Sequence, residues 1–159
     1  MILADFSDES AINTWYVVND DVMGGRSDAT LKQQDNYMIF KGEISLDNNG
    51  GFSSIRSDFK ARDISSYSTV VIELKGDGKT YQFRAKTSRY DRQSYVSYVE
   101  TNGEWQTISI NLADLYPVFR GYRMRMANFD GKLLEEIGIL FGNKKAEAFE
   151  LQIKSIILK

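Results

Sequence analysis

TYQFRAKTS (80–88) is the stretch that decides the fold. Tyr81, Phe83 and Ala85 fall on one side, and Gln82, Arg84 and Lys86 on the other. That is the period of a strand with one buried and one solvated face. The same rhythm runs through YMIFKGEIS (37–45), around Met38, Phe40 and Ile44. TVVIELKG (69–76) is rich in β-branched residues, which suit a pleated surface. QSYVSYVET (93–101) and EWQTISINL (104–112) read as two strands around the turn signal Asn102-Gly103. EEIGILFG (135–142) and AFELQIKSIIL (148–158) supply the last two. Between these runs stand Asn48-Asn49-Gly50-Gly51, Gly76-Asp77-Gly78 and Asp130-Gly131, all turn chemistry. Only NLADLY (111–116) suggests a helical turn, closed by Pro117. Short, regularly spaced strands predict an all-β sandwich or jelly roll with at most one or two short helical turns. No linker, repeat or low-complexity segment interrupts it, so one domain is expected over residues 1–159.

Composition narrows the chemistry. The chain has neither cysteine nor histidine. A thiolate nucleophile, a Ser-His-Asp triad and a His/Cys zinc site are therefore excluded. Any metal would be a hard cation held by oxygen. The formal net charge of -2 argues against nucleic acid as a partner. No segment approaches the roughly 18 apolar residues of a membrane span. MILADFSDES (1–10) carries three acids and lacks the pattern of a secretory or transit peptide, so a cytoplasmic protein is expected. Neither a GxxxxGK[ST] loop nor a Rossmann fingerprint is present, and no cofactor is expected.

Three segments could carry function. The first is DDVMGGRS (20–27). Gly24 and Gly25 allow a sharp bend and a close approach by another chain. Asp20, Asp21 and Ser27 place oxygens at that bend, and Met23 offers an adaptable apolar contact. The same residues also suit a plain strand-to-strand turn. A Ca²⁺ site at the two aspartates is a weaker alternative, since Ca²⁺ needs six to eight oxygens. The second is NNGGFSSIRS (48–57), where Asn49 lies in a turn and Arg56 shares a strand face with Ser54 and Phe52. Arg56 reads either as a bidentate hook for a ligand carboxylate or phosphate, or as an internal ion pair with the acidic loop. The third is YQFRAKTSRYDRQSYVSY (81–98), where Arg84, Lys86, Arg89 and Arg92 mingle with Tyr90, Tyr95 and Tyr98. Such rings and cations stack on sugars or bases, although a solvated strand pair would look the same. FRGYRMRM (119–126) adds Arg120, Arg123 and Arg125. Trp15 and Trp105 read as core or edge anchors, Trp105 at the rim of the sandwich.

Taken in order, WYVVNDDVMGGRS (15–27), FKGEISLDNNGGFSSIR (40–56), GDGKTYQF (76–83), GEWQTISI (103–110), FRG (119–121) and IGILF (137–141) resemble the family of the thirty-kilodalton mitochondrial complex I intermediate-associated protein. The match covers nearly the whole chain. The resemblance implies a galactose-binding-like jelly roll and a non-catalytic role as an assembly or scaffolding factor. It also implies protein partners among respiratory-chain subunits or assembly factors. The alternative that the fold suggests is a carbohydrate- or small-ligand-binding module. Catalysis is not expected: Asp20 and Asp21 are adjacent, and neighbours on a strand face opposite ways.

Overall fold

The computed structural model describes residues 1–19, 27–47 and 51–159. In chain order the strands are β1 (Ile2–Asp5), β2 (Tyr16–Asn19), β3 (Asp28–Gln34), β4 (Tyr37–Glu43), β5 (Ser53–Asp63), β6 (Thr69–Lys75), β7 (Thr80–Lys86), β8 (Ser94–Glu100), β9 (Trp105–Asn111), β10 (Tyr116–Phe119), β11 (Tyr122–Arg123), β12 (Leu133–Phe141) and β13 (Ala148–Leu158). Short 3₁₀ turns occupy Glu9–Thr14 and Leu112–Asp114. One sheet is six-stranded, in the order β3-β4-β13-β6-β9 with β1 also on β13. The other is seven-stranded, in the order β11-β10-β8-β7-β12-β5-β2. Every pairing is antiparallel. The result is the expected all-β jelly-roll sandwich.

The alternating residues build the core. Met38 and Phe40 of β4, Ile72 and Leu74 of β6, and Leu151 and Ile153 of β13 point inward from the six-stranded sheet, fully buried. Tyr81 and Phe83 of β7 with Ile139 and Phe141 of β12 meet them from the other sheet. At the centre, Phe149 stacks on Phe141 at 4.5 Å and meets Phe40 edge-on at 4.9 Å. Tyr81 leans on Phe141 at 4.9 Å. Each such side chain contributes roughly 2–3 kcal/mol by leaving water. Trp15 is a core anchor, as expected, with its ring 5.9 Å from Phe6.

Two turn signals do a different job from the expected one. Asn102-Gly103 links β8 to β9, but these strands belong to different sheets. Gly76-Asp77-Gly78 likewise carries the chain from β6 in one sheet to β7 in the other. A turn signal marks a reversal; the sheet that receives the next strand is chosen by long-range pairing. Gly76 is required here, since a Cβ would lie 2.3 Å from Thr101. Pro117 does not close a helix. It sits within β10, opposite Tyr95, while the preceding turn ends at Asp114.

Candidate functional site

The outer face of the seven-stranded sheet carries a continuous row of side chains. The register sets Tyr16 of β2 beside Arg56 of β5, and Arg56 beside Gly138 of β12. Gly138 lies beside Arg84 of β7, Arg84 beside Val96 of β8, and Val96 beside Tyr116 of β10. Arg123 of β11 closes the row, its guanidinium 4.5 Å from the centre of the Tyr116 ring. Flanking rows hold Ser54, Leu140, Gln82 and Tyr98 on one side, and Asp58, Glu136 and Lys86 on the other.

Gly138 marks a close approach in this row. A Cβ there would lie 2.7 Å from the carbonyl oxygen of Ile55 and 3.4 Å from Cγ of Arg56. The Arg56 stem therefore lies against the space a side chain would fill. Arg84 flanks the same glycine from the opposite strand. Its Nη1 donates to Oε1 of Gln82 at 3.0 Å, which fixes one edge of the fork. Among the described residues, neither guanidinium has a carboxylate within ion-pair distance.

The titration behaviour follows from that arrangement. Burial, and then the like charge of Arg56, lowers Arg84 to about 10. Burial also lowers Lys86, against the opposing pull of Glu136. Glu136 is buried, and burial raises its carboxyl despite Arg56, Lys86 and Arg84 nearby. Tyr16 is pushed up to about 12 by burial and by the hydrogen bond it donates to Asp58 at 3.1 Å. Burial and the neighbouring Tyr98 raise Tyr116. The face thus holds four cations, Arg56, Arg84, Lys86 and Arg123, against two carboxylates, Asp58 and Glu136, between tyrosine rings.

The residues singled out in the sequence are distributed as follows. Arg56 and Arg84, which belong to separate segments of the sequence, flank Gly138 in register. Tyr95 turns the other way: it is buried and packs on Phe129 at 5.3 Å. Its alternation with Val96 assigns it to the core face. Trp105 lies on the outer face of the six-stranded sheet, away from the arginines, under Lys154 and edge-on to Tyr37. Arg120 occupies the β10–β11 turn with φ 51°, followed by Gly121 at φ 81°. Two positive φ values are what a tight hairpin turn of this kind requires. Ser27 is buried, and its hydroxyl donates to the Ser45 carbonyl at 3.3 Å and accepts from the Ser45 amide at 3.1 Å. Asp20, Asp21, Met23, Gly24, Gly25 and Asn49 lie outside the described residues, and so does the Ca²⁺ alternative. Among the described residues no cluster of three or more acids is placed to hold a metal.

Several members of the face were not among the sequence candidates: Tyr16, Asp58, Glu136, Gly138 and Tyr116. Gly138 did leave a signal, since a lone glycine inside EEIGILFG marks a close approach.

The family model of Complex I intermediate-associated protein 30 (CIA30) matches residues 4–153. The chain belongs to this family. A curated relative is the mitochondrial Complex I intermediate-associated protein 30 of Drosophila melanogaster, 25% identical over 143 residues. That alignment takes in 76% of this chain and 48% of the fly protein, so the chain spans about half the length of that relative. Among solved structures, a family 11 carbohydrate-binding module of Clostridium thermocellum, in complex with a β-1,3-1,4-mixed-linked tetrasaccharide, superposes with a TM-score of 0.70. It is 16% identical, covering 99% of this chain and 93% of the module. An agarase superposes at 0.65 with 13% identity, over 98% of this chain and 24% of the enzyme. At these identities the likeness is one of fold, a galactose-binding-like jelly roll. Among the described residues no helix is long and apolar enough to cross a membrane.

Proposed function

We propose that this chain is a non-catalytic binding domain that serves as an assembly or scaffolding factor for a protein complex. Its contact surface is the outer face of the seven-stranded sheet. The observation that carries this reading is the pair Arg56 and Arg84, in register on either side of Gly138 and without a carboxylate partner among the described residues. A fold that buries cations without pairing them forgoes stability, and a partner can supply the missing charge. Tyrosine and arginine, the residues that dominate protein interfaces, surround them. The family supports a protein partner, and its name points to subunits or assembly factors of respiratory complex I.

The test is co-purification from the native host with tagged wild type and with Tyr98→Ala/Arg123→Ala, two exposed positions on the rim. A defined partner retained by wild type and lost by the folded variant is the expected result. The same partners with both proteins would remove this face from the proposal.

The likeness to a carbohydrate-binding module over 99% of the chain favours a second reading, a glycan ligand on the same face. Titration with a mixed-linked β-glucan tetrasaccharide checks it. Shifts at Gln82, Tyr98 and Tyr116 would support it, and an unchanged spectrum would dispose of it.

A further inference from the structure

We infer that β9 is a docking edge for a second copy of this chain. The two β9 strands pair antiparallel about a two-fold axis at Ile108 and join two six-stranded sheets into one. The edge belongs to the sheet opposite the arginine row, so the inference stands apart from the binding reading above.

A sheet edge presents unpaired amides and carbonyls, and folds protect it by shortness, charge, proline, a bulge or a covering segment. The other edge strands are protected in these ways. β11 has two residues and β2 has four. β1 also has four, and its register on β13 shifts between Ile2 and Ala4. β3 carries Asp28 and Lys32 and lies against β2 and the Glu9–Thr14 turn. Its Gln33 side chain also donates to the Phe6 carbonyl at 2.6 Å. β9 has none of these devices. WQTISIN (105–111) is seven residues long, without charge, proline or glycine. Its register on β6 runs unbroken from Lys75 to Thr69. Among the described residues β6 is its only strand neighbour.

The hydrogen-bond phase decides which groups are free. The Leu112 amide donates to the Ser68 carbonyl at 2.9 Å, one step beyond the Asn111–Thr69 pair. Bonded and unbonded pairs alternate in an antiparallel ladder, so Ile110, Ile108 and Gln106 turn their backbone groups to β6. Those of Thr107 and Ser109 point out of the sheet edge, without a partner among the described residues. A two-fold at Ile108 sets Thr107 of one copy opposite Ser109 of the other, and their outward amides and carbonyls bond reciprocally. Trp105 meets Asn111 in the same phase. Thr107 and Ser109 are exposed on the outer surface, where the pairing brings their hydroxyls together. On the inner side the half-buried Ile108 meets its own copy. The composition selects the occupant. A strand with net charge repels its copy across a two-fold, and β9 has no charged residue. For the same reason it offers no charge by which to choose a foreign strand. Its own copy satisfies backbone and side chains in one register, as an isologous interface requires.

The chain has no cysteine, so single substitutions serve as clean cross-linking probes. In the paired edge the two Ile108 Cα atoms form an unbonded pair about 4.5 Å apart, within disulfide reach. The two Thr107 Cα atoms are offset along the strands to about 8 Å, beyond it. Ile108→Cys is therefore expected to form a covalent dimer under glutathione disulfide at least tenfold faster than Thr107→Cys. Sedimentation of the wild-type chain is expected to show dimer growing with concentration, since a single strand pair is a small interface that dissociates on dilution. Ser109→Pro removes an outward amide and leaves the β6 ladder whole, so it is expected to stay folded and become monomeric. A wild-type chain that stays monomeric up to about 1 mM would overturn the edge. So would equal cross-linking of the two cysteine variants, or a dimer that persists in folded Ser109→Pro. The wild-type sedimentation and the cysteine pair decide the matter even where the proline variant fails to fold. A foreign protein captured by wild type and lost by Ser109→Pro, with no dimer formed, would overturn the second copy and give the edge to another strand.

Discussion

Two cations on the two outer faces of the sandwich are held in opposite ways. On the six-stranded side, Lys154 is partnered. Lys154 sits 3.5 Å from Glu73 and 4.3 Å from the centre of the Trp105 ring, and Tyr37 meets that ring edge-on. At the sheet-to-sheet crossing, Asp77 is satisfied from four sides. On the seven-stranded side, Arg56 and Arg84 have no carboxylate within ion-pair distance among the described residues, although Arg84 is largely out of water. Both faces come from strands of the same alternation, so strand chemistry does not explain the difference. Arg84 is thus desolvated without the carboxylate that Lys154 has, among the described residues.

The largest effect belongs to the finished charge. Oδ1 of Asp77 accepts from the Tyr81 hydroxyl at 3.0 Å and from the Lys79 amide at 3.3 Å. Oδ2 accepts from the Glu150 amide at 2.9 Å and from Lys79 Nζ at 3.3 Å. Asp77→Ala leaves the buried Tyr81 hydroxyl and a β13 amide without their partner. The expected loss is about 3 kcal/mol, read as a lower urea midpoint at constant slope. An unchanged midpoint would erase the distinction between the two faces.

Charge removal on the open face is expected to go the other way. Arg84→Met keeps the stem packing and removes a desolvated cation beside Arg56. Stability should rise by about 0.5–1 kcal/mol, while binding through this face falls at least tenfold, about 1.4 kcal/mol. Opposite signs in the two measurements are the signature of a group kept for binding. A loss of stability comparable to that of Asp77→Ala would instead make Arg84 a structural residue.

The sandwich was legible in the sequence because its buried faces alternate cleanly, and Arg84 was legible for the same reason. In TYQFRAK every inward residue is apolar or aromatic and every outward one polar. Tyr95 was not, because SYVSYVE carries apolar residues on both faces: Tyr95 and Val99 point inward while Val96 lies buried on the outer face. Period two separates the faces there without saying which is inside. The row itself was invisible. Tyr16, Arg56, Gly138, Arg84, Val96 and Tyr116 come from six strands whose order, β10-β8-β7-β12-β5-β2, is set by long-range pairing. No local pattern encodes that order.

Glu136 adds a pH dependence to the open face. Burial outweighs the attraction of Arg56, Lys86 and Arg84, with Asp58 adding to the rise, so the folded chain holds this proton more tightly than the unfolded chain. The stability from the protonated form is complete below the ordinary value of 4.5 and is lost as pH rises through the raised folded value. Glu136→Gln stays neutral throughout. It is expected to exceed wild type in stability at pH 7 and to match it at pH 4, by urea titration at both. A gain of the same size at both pH values would assign the effect to packing.

The smallest effect is expected where the charge is both partnered and exposed. Lys154→Ala removes a surface ion pair and a cation over Trp105, contacts worth a few tenths to about 1 kcal/mol each, with salt screening part of that. A midpoint shift equivalent to about 0.5 kcal/mol, smaller still at 1 M salt, is the expected reading. Trp105 keeps its edge contact with Tyr37 at 5.7 Å, so its fluorescence should move only slightly. Such a small loss fits a face whose pairs decorate a finished sheet. A loss approaching that of Asp77→Ala would mean that Lys154 and Trp105 pin the six-stranded sheet, and that its outer face, too, carries more than surface charge.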